Sequence, residues 1–273
     1  MRLPDLTSWP TKPQPATLYH YTSIESLQKI VYSRQIWATH ASTMNDLSEG
    51  KHAISIFREE ATLWHDFREN DAPFYKAVLD ALDGFCIPNL YIFSLTELED
   101  RLSQWRGYCP KSGGVSMGID SESLTALPGF SLLPCIYRRD VQRSIIREML
   151  DQAAEQCRTP NSSNENLKSE ASDLVASVFA IAPLLKDPSF EEEHEWRLVA
   201  FDPVESEVSF SVRNNELVPY ITFVIGEPEK FFDELLIGPN IDPYTARSNV
   251  ERFFESNAIH CSVSISEIPF RGW

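Results

Sequence analysis

The 273-residue chain is predicted to fold as an α+β protein, and three observations carry that reading. Several candidate strands follow one another late in the chain, between Glu195 and Val224, without strict strand–helix alternation. Apolar residues recur at helical spacing in longer stretches, as in Val141, Ile145, Met149 and Ala153. The composition, 42% hydrophobic and 23% charged, is that of a globular chain long enough to bury a sizeable core without disulfides.

The elements read as follows. Residues 1–16, with four prolines between Pro4 and Pro15, form an extended arm ahead of a single α+β domain over 17–273. Leu18 to Tyr21 is a short strand; Thr22 and Glu25 make a capping-box pattern, and Ile24, Leu27, Ile30 and Val31 follow at helical spacing. Gln35 to Thr39 is a second strand. Asp46 and Glu49 repeat the capping spacing before a helix from Leu47 to His65, and a third helix, Pro73 to Leu82, ends at Gly84. Leu90 to Leu95 is an apolar strand; a polar helix carrying Trp105 precedes Gly113-Gly114 and the strand Val115 to Ile119. Leu132 to Tyr137 reads as a strand. A helical insertion spans about 140–187: a helix from Asp140, a loop from Arg158 to Asn166, and a helix from Leu167 to Leu185. Strands Glu195–Phe201, Glu207–Val212, Val218–Val224 and Glu234–Ile237 come next. Asp242-Pro243 then caps a helix that leads to a strand at His260–Ile265.

Charge and motif content narrow the function. With 24 Lys+Arg against 40 Asp+Glu the net charge is −16, so non-specific nucleic-acid binding is not expected, although Arg138, Arg139 and Arg143 leave room for a local basic groove. No apolar run is long enough to span a bilayer and the N-terminus lacks a signal-peptide core, so a soluble, cytoplasmic protein with no membrane partner is expected. Five scattered cysteines without a Cys-x-x-Cys pair argue against a disulfide framework, and six histidines without paired ligand spacing argue against a metal site. Phosphate-cradling, dinucleotide-binding, zinc-protease and nucleophile-elbow motifs are all missing.

Three constellations remain. Tyr19-His20-Tyr21-Thr22-Ser23 lies at a strand-to-helix junction, where backbone N–H groups and polar side chains meet an anion or a ribose; capping by Thr22 and a hydrogen-bonded core His20 are the plainer account. In the segment Phe190 to Val199, alternation puts Glu193, Glu195 and Arg197 on one face of a strand, a carboxylate arrangement suited to stabilising positive charge or merely a solvated acidic entry. Trp105 and Tyr108 stand one helical turn apart, as a wall for a flat ring or as ordinary core.

Together with Met44-Asn45-Asp46-Leu47-Ser48-Glu49, Ser94, Gln104-Trp105-Arg106-Gly107-Tyr108, Gly113-Gly114 and the closing Ile268-Pro269-Phe270-Arg271, these segments resemble the bacterial family catalogued as domain of unknown function 2971. The opening Tyr19-His20-Tyr21-Thr22 is also similar to the first strand of ADP-ribosyltransferase-like folds, including DNA-modifying toxins. That resemblance implies a split mixed or antiparallel sheet clamping NAD as substrate, with no metal. It implies His20 holding the dinucleotide and Glu195 as the catalytic carboxylate, while Glu193-His194-Glu195 resembles the Glu-x-Glu of arginine-modifying members, which use Arg where this chain has His20. Tyr21, Thr22 and Ser94 would line the substrate; Arg197 would orient Glu195 or hold a phosphate; Trp105 or Tyr108 would stack on nicotinamide. Asn45 and Asp46 would cap a helix near the cleft. The implied function is an NAD-consuming transferase or NAD glycohydrolase, a toxin or anti-phage effector with an unknown acceptor and an antitoxin or companion protein. The alternatives are a non-catalytic nucleotide- or protein-binding member of the same fold and a carboxylate-based hydrolase of another class.

Overall fold

The computed structural model describes residues 12–43, 47–84, 89–158, 163–213, 215–224, 232–240 and 242–269. The fold is α+β, with a mixed open sheet and helices. Two compact units can be distinguished, one holding residues 40–90 and 135–192, the other residues 12–39, 91–134 and 193–273.

The first unit is built on helices α2 (Leu47–Phe67), α3 (Ala72–Asp83), α6 (Arg139–Cys157) and α7 (Asn164–Ile181). Phe57, Tyr75, Val78, Ile146, Leu150, Val175 and Ile181 are buried in it. The fully buried Glu60 of α2 meets Arg143 at 2.5 Å and Arg147 at 2.7 Å, so a carboxylate that would be costly alone joins α2 to α6. Helix α7 opens three residues earlier than its apolar pattern, on a Ser163 cap, and tightens into a 3₁₀ turn at Ala182–Leu184. Pro183 has no N–H to continue the α-helical ladder there.

The second unit carries the sheet, whose strands are β1 (Thr17–Thr22), β2 (Gln35–His40), β3 (Leu90–Thr96), β4 (Val115–Asp120), β5 (Ser131–Pro134), β6 (Glu195–Phe201), β7 (Ser209–Arg213), β8 (Glu216–Val224), β9 (Phe232–Ile237) and β10 (Ser262–Ile265). Their order is β10-β9-β4-β1-β3-β2-β8-β7, with β6 pairing β3 and β5. Helices α1 (Ile24–Ser33), α4 (Leu102–Tyr108), α5 (Ser121–Thr125) and α8 (Pro243–Ser256) accompany it. The pair β9–β10 is parallel and its connection runs through α8, as a parallel neighbour requires. Asp242 caps α8 from the Thr245 N–H, with Pro243 in the first turn, as the dipeptide predicts.

Two differences from the sequence reading have local causes. Thr22 does not cap α1: it is still in register with Val115 in the β1–β4 ladder, so the cap falls to Ser23, whose Oγ accepts from Ser26 N at 3.0 Å. The strand expected to run to Tyr137 ends at Pro134; beyond it Ile136 makes an isolated bridge to Leu185. Strand β1 serves two apolar clusters through its pleat. Leu18 packs with Phe93, Met117 and Leu198, whereas Tyr21 packs with Trp105 and Leu236.

Candidate functional site

Strand β1 is in register with β4 along its whole length, from Thr17 opposite Asp120 to Thr22 opposite Val115. On its other side it meets β3 through a single pair, Tyr19 and Thr96. No further β1–β3 pair is found among the described residues, and the imidazole of His20 reaches β3 there. Its Nδ1 lies 2.9 Å from the carbonyl oxygen of Ser94. A carbonyl only accepts, so Nδ1 carries the hydrogen and Nε2 of the neutral ring is an acceptor. The ring also lies against Phe93, centroids 4.3 Å apart. Burial pushes the His20 pKa below the ordinary histidine value, and the bond to Ser94 offsets only part of that.

A cavity of about 50 Å³ sits at this point. His20, Ser94, Gln104, Tyr108, Glu193 and Glu195 are among the residues that line it, with Tyr19, Tyr21 and Thr96. A cavity of this size holds a few water molecules and does not enclose a dinucleotide.

Glu195 and Arg197 are both buried on β6, two residues apart and therefore on one face. Arg197 forks onto the carboxylate, Nε to Oε1 at 2.8 Å and a terminal nitrogen to Oε2 at 3.0 Å. The planar fork fixes the carboxylate and supplies the counter-charge that burial demands. Entry into β6 is held from β3: Thr96 Oγ1 donates to the Glu193 carbonyl at 2.6 Å, and Glu97 accepts from Trp196 Nε1 at 2.6 Å. His194 takes a left-handed conformation between them (φ 44°), which turns the chain into the strand. At the rim, Tyr108 OH donates to Glu193 Oε1 at 3.3 Å, and Tyr108 is 49% exposed.

The remaining expected residues fall elsewhere. Tyr21 is in the cavity lining, but its hydroxyl is engaged away from it, donating to Leu98 O at 2.7 Å and accepting from Arg101 N. The Thr22 carbonyl accepts from Cys109 Sγ at 3.4 Å, away from the cavity lining. Trp105 is core: its Nε1 donates to Asp100 at 2.7 Å and its ring meets Tyr21 edge-on at 4.6 Å. Its ring also abuts Gly238, where an added Cβ would stand 2.7 Å from Cζ3. Asn45 and Asp46 lie outside the described residues, as do Phe270 and Arg271.

Leu95, Thr96 and Gln104 line the cavity without having been given a site role from the sequence, and Gln104 is the one with a polar side chain on the helix α4. It is only 5% exposed, and its side-chain amide meets no hydrogen-bond partner among the described residues. The signal was present: Gln104 and Tyr108 are four apart on α4 and share a helical face, whereas Trp105 is turned away from it.

Residues 104–198 match the family model described as "Protein of unknown function (DUF2971)". The match covers about a third of the chain. It takes in Gln104, Tyr108, Glu193, Glu195 and Arg197, but neither His20 nor Ser94. It supports the family resemblance over that span. No curated protein and no solved structure matches the chain. Among the described residues, no helix is long and apolar enough to cross a membrane, and no group of three or more His, Cys, Asp and Glu is placed to hold a metal ion.

Proposed function

We propose that this chain is an NAD-consuming enzyme of ADP-ribosyltransferase-like type, transferring the ADP-ribosyl group to an acceptor or hydrolysing NAD. The observation that carries the proposal is that His20 of the first strand and Glu195 of a late strand line one cavity. Breaking the bond between ribose C1′ and the nicotinamide nitrogen returns the bonding pair to the ring and leaves positive charge on the ribose, as in glycoside hydrolysis. A carboxylate fixed nearby stabilises that charge without attacking it; preorganised groups of this kind contribute roughly 3–4 kcal/mol. Arg197 holds Glu195 in place, and the acceptor Nε2 of His20 is suited to a ribose hydroxyl or to the proton of an attacking water.

The side-chain amide of Gln104, in the same cavity lining, supports the reading. It offers one donor group and one acceptor, the pattern complementary to a carboxamide such as that of nicotinamide. A substrate larger than the cavity would extend past the half-exposed Tyr108. Incubation of the purified protein with NAD tests the reading. Nicotinamide is expected to accumulate with the wild type and not with Glu195→Gln, and growth arrest on expression that disappears in Glu195→Gln would extend the reading to a toxin. Unchanged NAD, with or without candidate acceptors, overturns it.

The cavity volume favours one second reading, a non-catalytic member that binds a small polar head group of a nucleotide or a protein. In that case Glu195 and Arg197 are a structural ion pair, and ligand binding survives Glu195→Gln.

A further inference from the structure

The polar groups around the cavity shared by His20 and Glu195 are unequally divided between acceptors and donors. Among the described residues the lining includes two carboxylates, Glu193 and Glu195, and no lysine or arginine. Nε2 of His20 is a further acceptor, because Nδ1 carries the hydrogen bonded to Ser94 O. Most lining hydroxyls spend their hydrogens on the protein. Tyr19 donates to Glu234 Oε1 and Tyr21 to Leu98 O, each at 2.7 Å. Thr96 donates to Glu193 O at 2.6 Å and Tyr108 to Glu193 Oε1 at 3.3 Å. Gln104 departs from this pattern. Its amide, on a side chain only 5% exposed and without a hydrogen-bond partner among the described residues, brings two N–H donors and one oxygen to the lining.

Each class of small polar ligand meets this lining differently. A phosphate or carboxylate brings acceptors and negative charge to two carboxylates, with no cation in the lining to balance them. An ammonium or guanidinium group brings donors alone and leaves the Gln104 N–H groups unanswered. A primary carboxamide answers both sides: its oxygen accepts from Gln104, and its N–H groups donate to the Gln104 oxygen or to His20 Nε2 and Glu195. We infer that the cavity is a primary-carboxamide site in which Gln104 determines specificity, so that the amide end of a ligand enters and its anionic groups stay outside. A carboxylate of the same shape is rejected because it sets oxygen against the Gln104 oxygen and adds like charge. The inference deepens the NAD reading and rests on it for the choice of nicotinamide as the amide to test.

Nicotinamide and nicotinate differ in the amide against the carboxylate, and isothermal titration calorimetry of each into the full chain tests the inference. The wild type is expected to bind nicotinamide at least about tenfold more tightly than nicotinate. Gln104→Met, which keeps the length of the side chain and removes its amide, is expected to lose about tenfold or more in nicotinamide affinity with an unchanged circular dichroism spectrum. Nicotinate bound as tightly as nicotinamide, or no binding of nicotinamide, overturns the inference in the wild type alone, and an undiminished nicotinamide affinity in a folded Gln104→Met overturns it as well. Cleavage of NAD by a protein that does not prefer the amide sinks this inference and spares the NAD reading. A preference for nicotinamide in a protein that leaves NAD intact does the reverse.

Discussion

The Nδ1–H of His20 donates to the main-chain oxygen of Ser94 across 2.9 Å. A side chain here ties β1 to the backbone of β3. The bond fixes which ring nitrogen remains available to a ligand.

This arrangement predicts a pH effect with a definite sign. Burial lowers the His20 pKa in the fold, so as pH falls below about 6.5 the unfolded chain takes up a proton that the folded ring resists. Stability contributed by neutral His20 is full above that value and declines towards the lower folded pKa. Urea midpoints measured at about pH 7.5 and about pH 5.5 are expected to differ less in His20→Gln than in the wild type. An equal pH dependence in both would remove His20 from the account.

Glu195 and Arg197 are predicted to be strongly coupled. Arg197→Met removes the guanidinium that forks onto the buried Glu195 carboxylate and is expected to cost about 3–5 kcal/mol in chemical unfolding. Combining it with Glu195→Gln is expected to recover a large part of that loss. Additive losses in the double variant would show that the two side chains do not depend on each other.

Thiol reactivity gives a third check. Burial pushes the thiols of Cys109 and Cys261 up to about 12. Neither is expected to react with an aromatic disulfide reagent in the native protein at about pH 8, and both should react once the chain is unfolded. Rapid native labelling of Cys109, identified by mass spectrometry, would contradict the packing of its sulfur against Thr22 O.

The packing of Trp105 can be tested at its neighbour. Gly238→Ala would place a methyl group 2.7 Å from Cζ3 of the ring, and a loss of about 1–3 kcal/mol is expected together with a change in near-ultraviolet circular dichroism. A stable variant with an unaltered aromatic spectrum would mean that the ring has room to move.

The elements that were legible in the sequence are those decided by local rules. Asp242-Pro243 fixes the start of α8, and the alternation of Glu195 and Arg197 places both on one face because the pleat leaves no choice. Boundaries set by long-range pairing were less legible. Thr22 has the chemistry of a cap, but its register with Val115 keeps it in the ladder, a constraint from a strand almost a hundred residues away. Trp105 illustrates the same limit at the candidate site. Its spacing from Tyr108 suggests a shared wall, yet the missing side chain of Gly238 opens a seat in the core that the indole fills, and Gln104 takes the place beside Tyr108. The meeting of His20 with Glu195 came from family resemblance alone, since nothing local in either segment specifies the other.

The central claim is that His20 and Glu195 act on one ligand in their shared cavity, and the rate of nicotinamide release from NAD tests it most directly. The measurement compares the wild type with Glu195→Gln, His20→Ala and the double variant, all with unchanged circular dichroism. The account predicts a loss on the order of a hundredfold or more for Glu195→Gln, and a double variant scarcely slower than the slower single, because groups that serve one transition state are not additive. Release that proceeds equally in all four proteins, or in none, would contradict it.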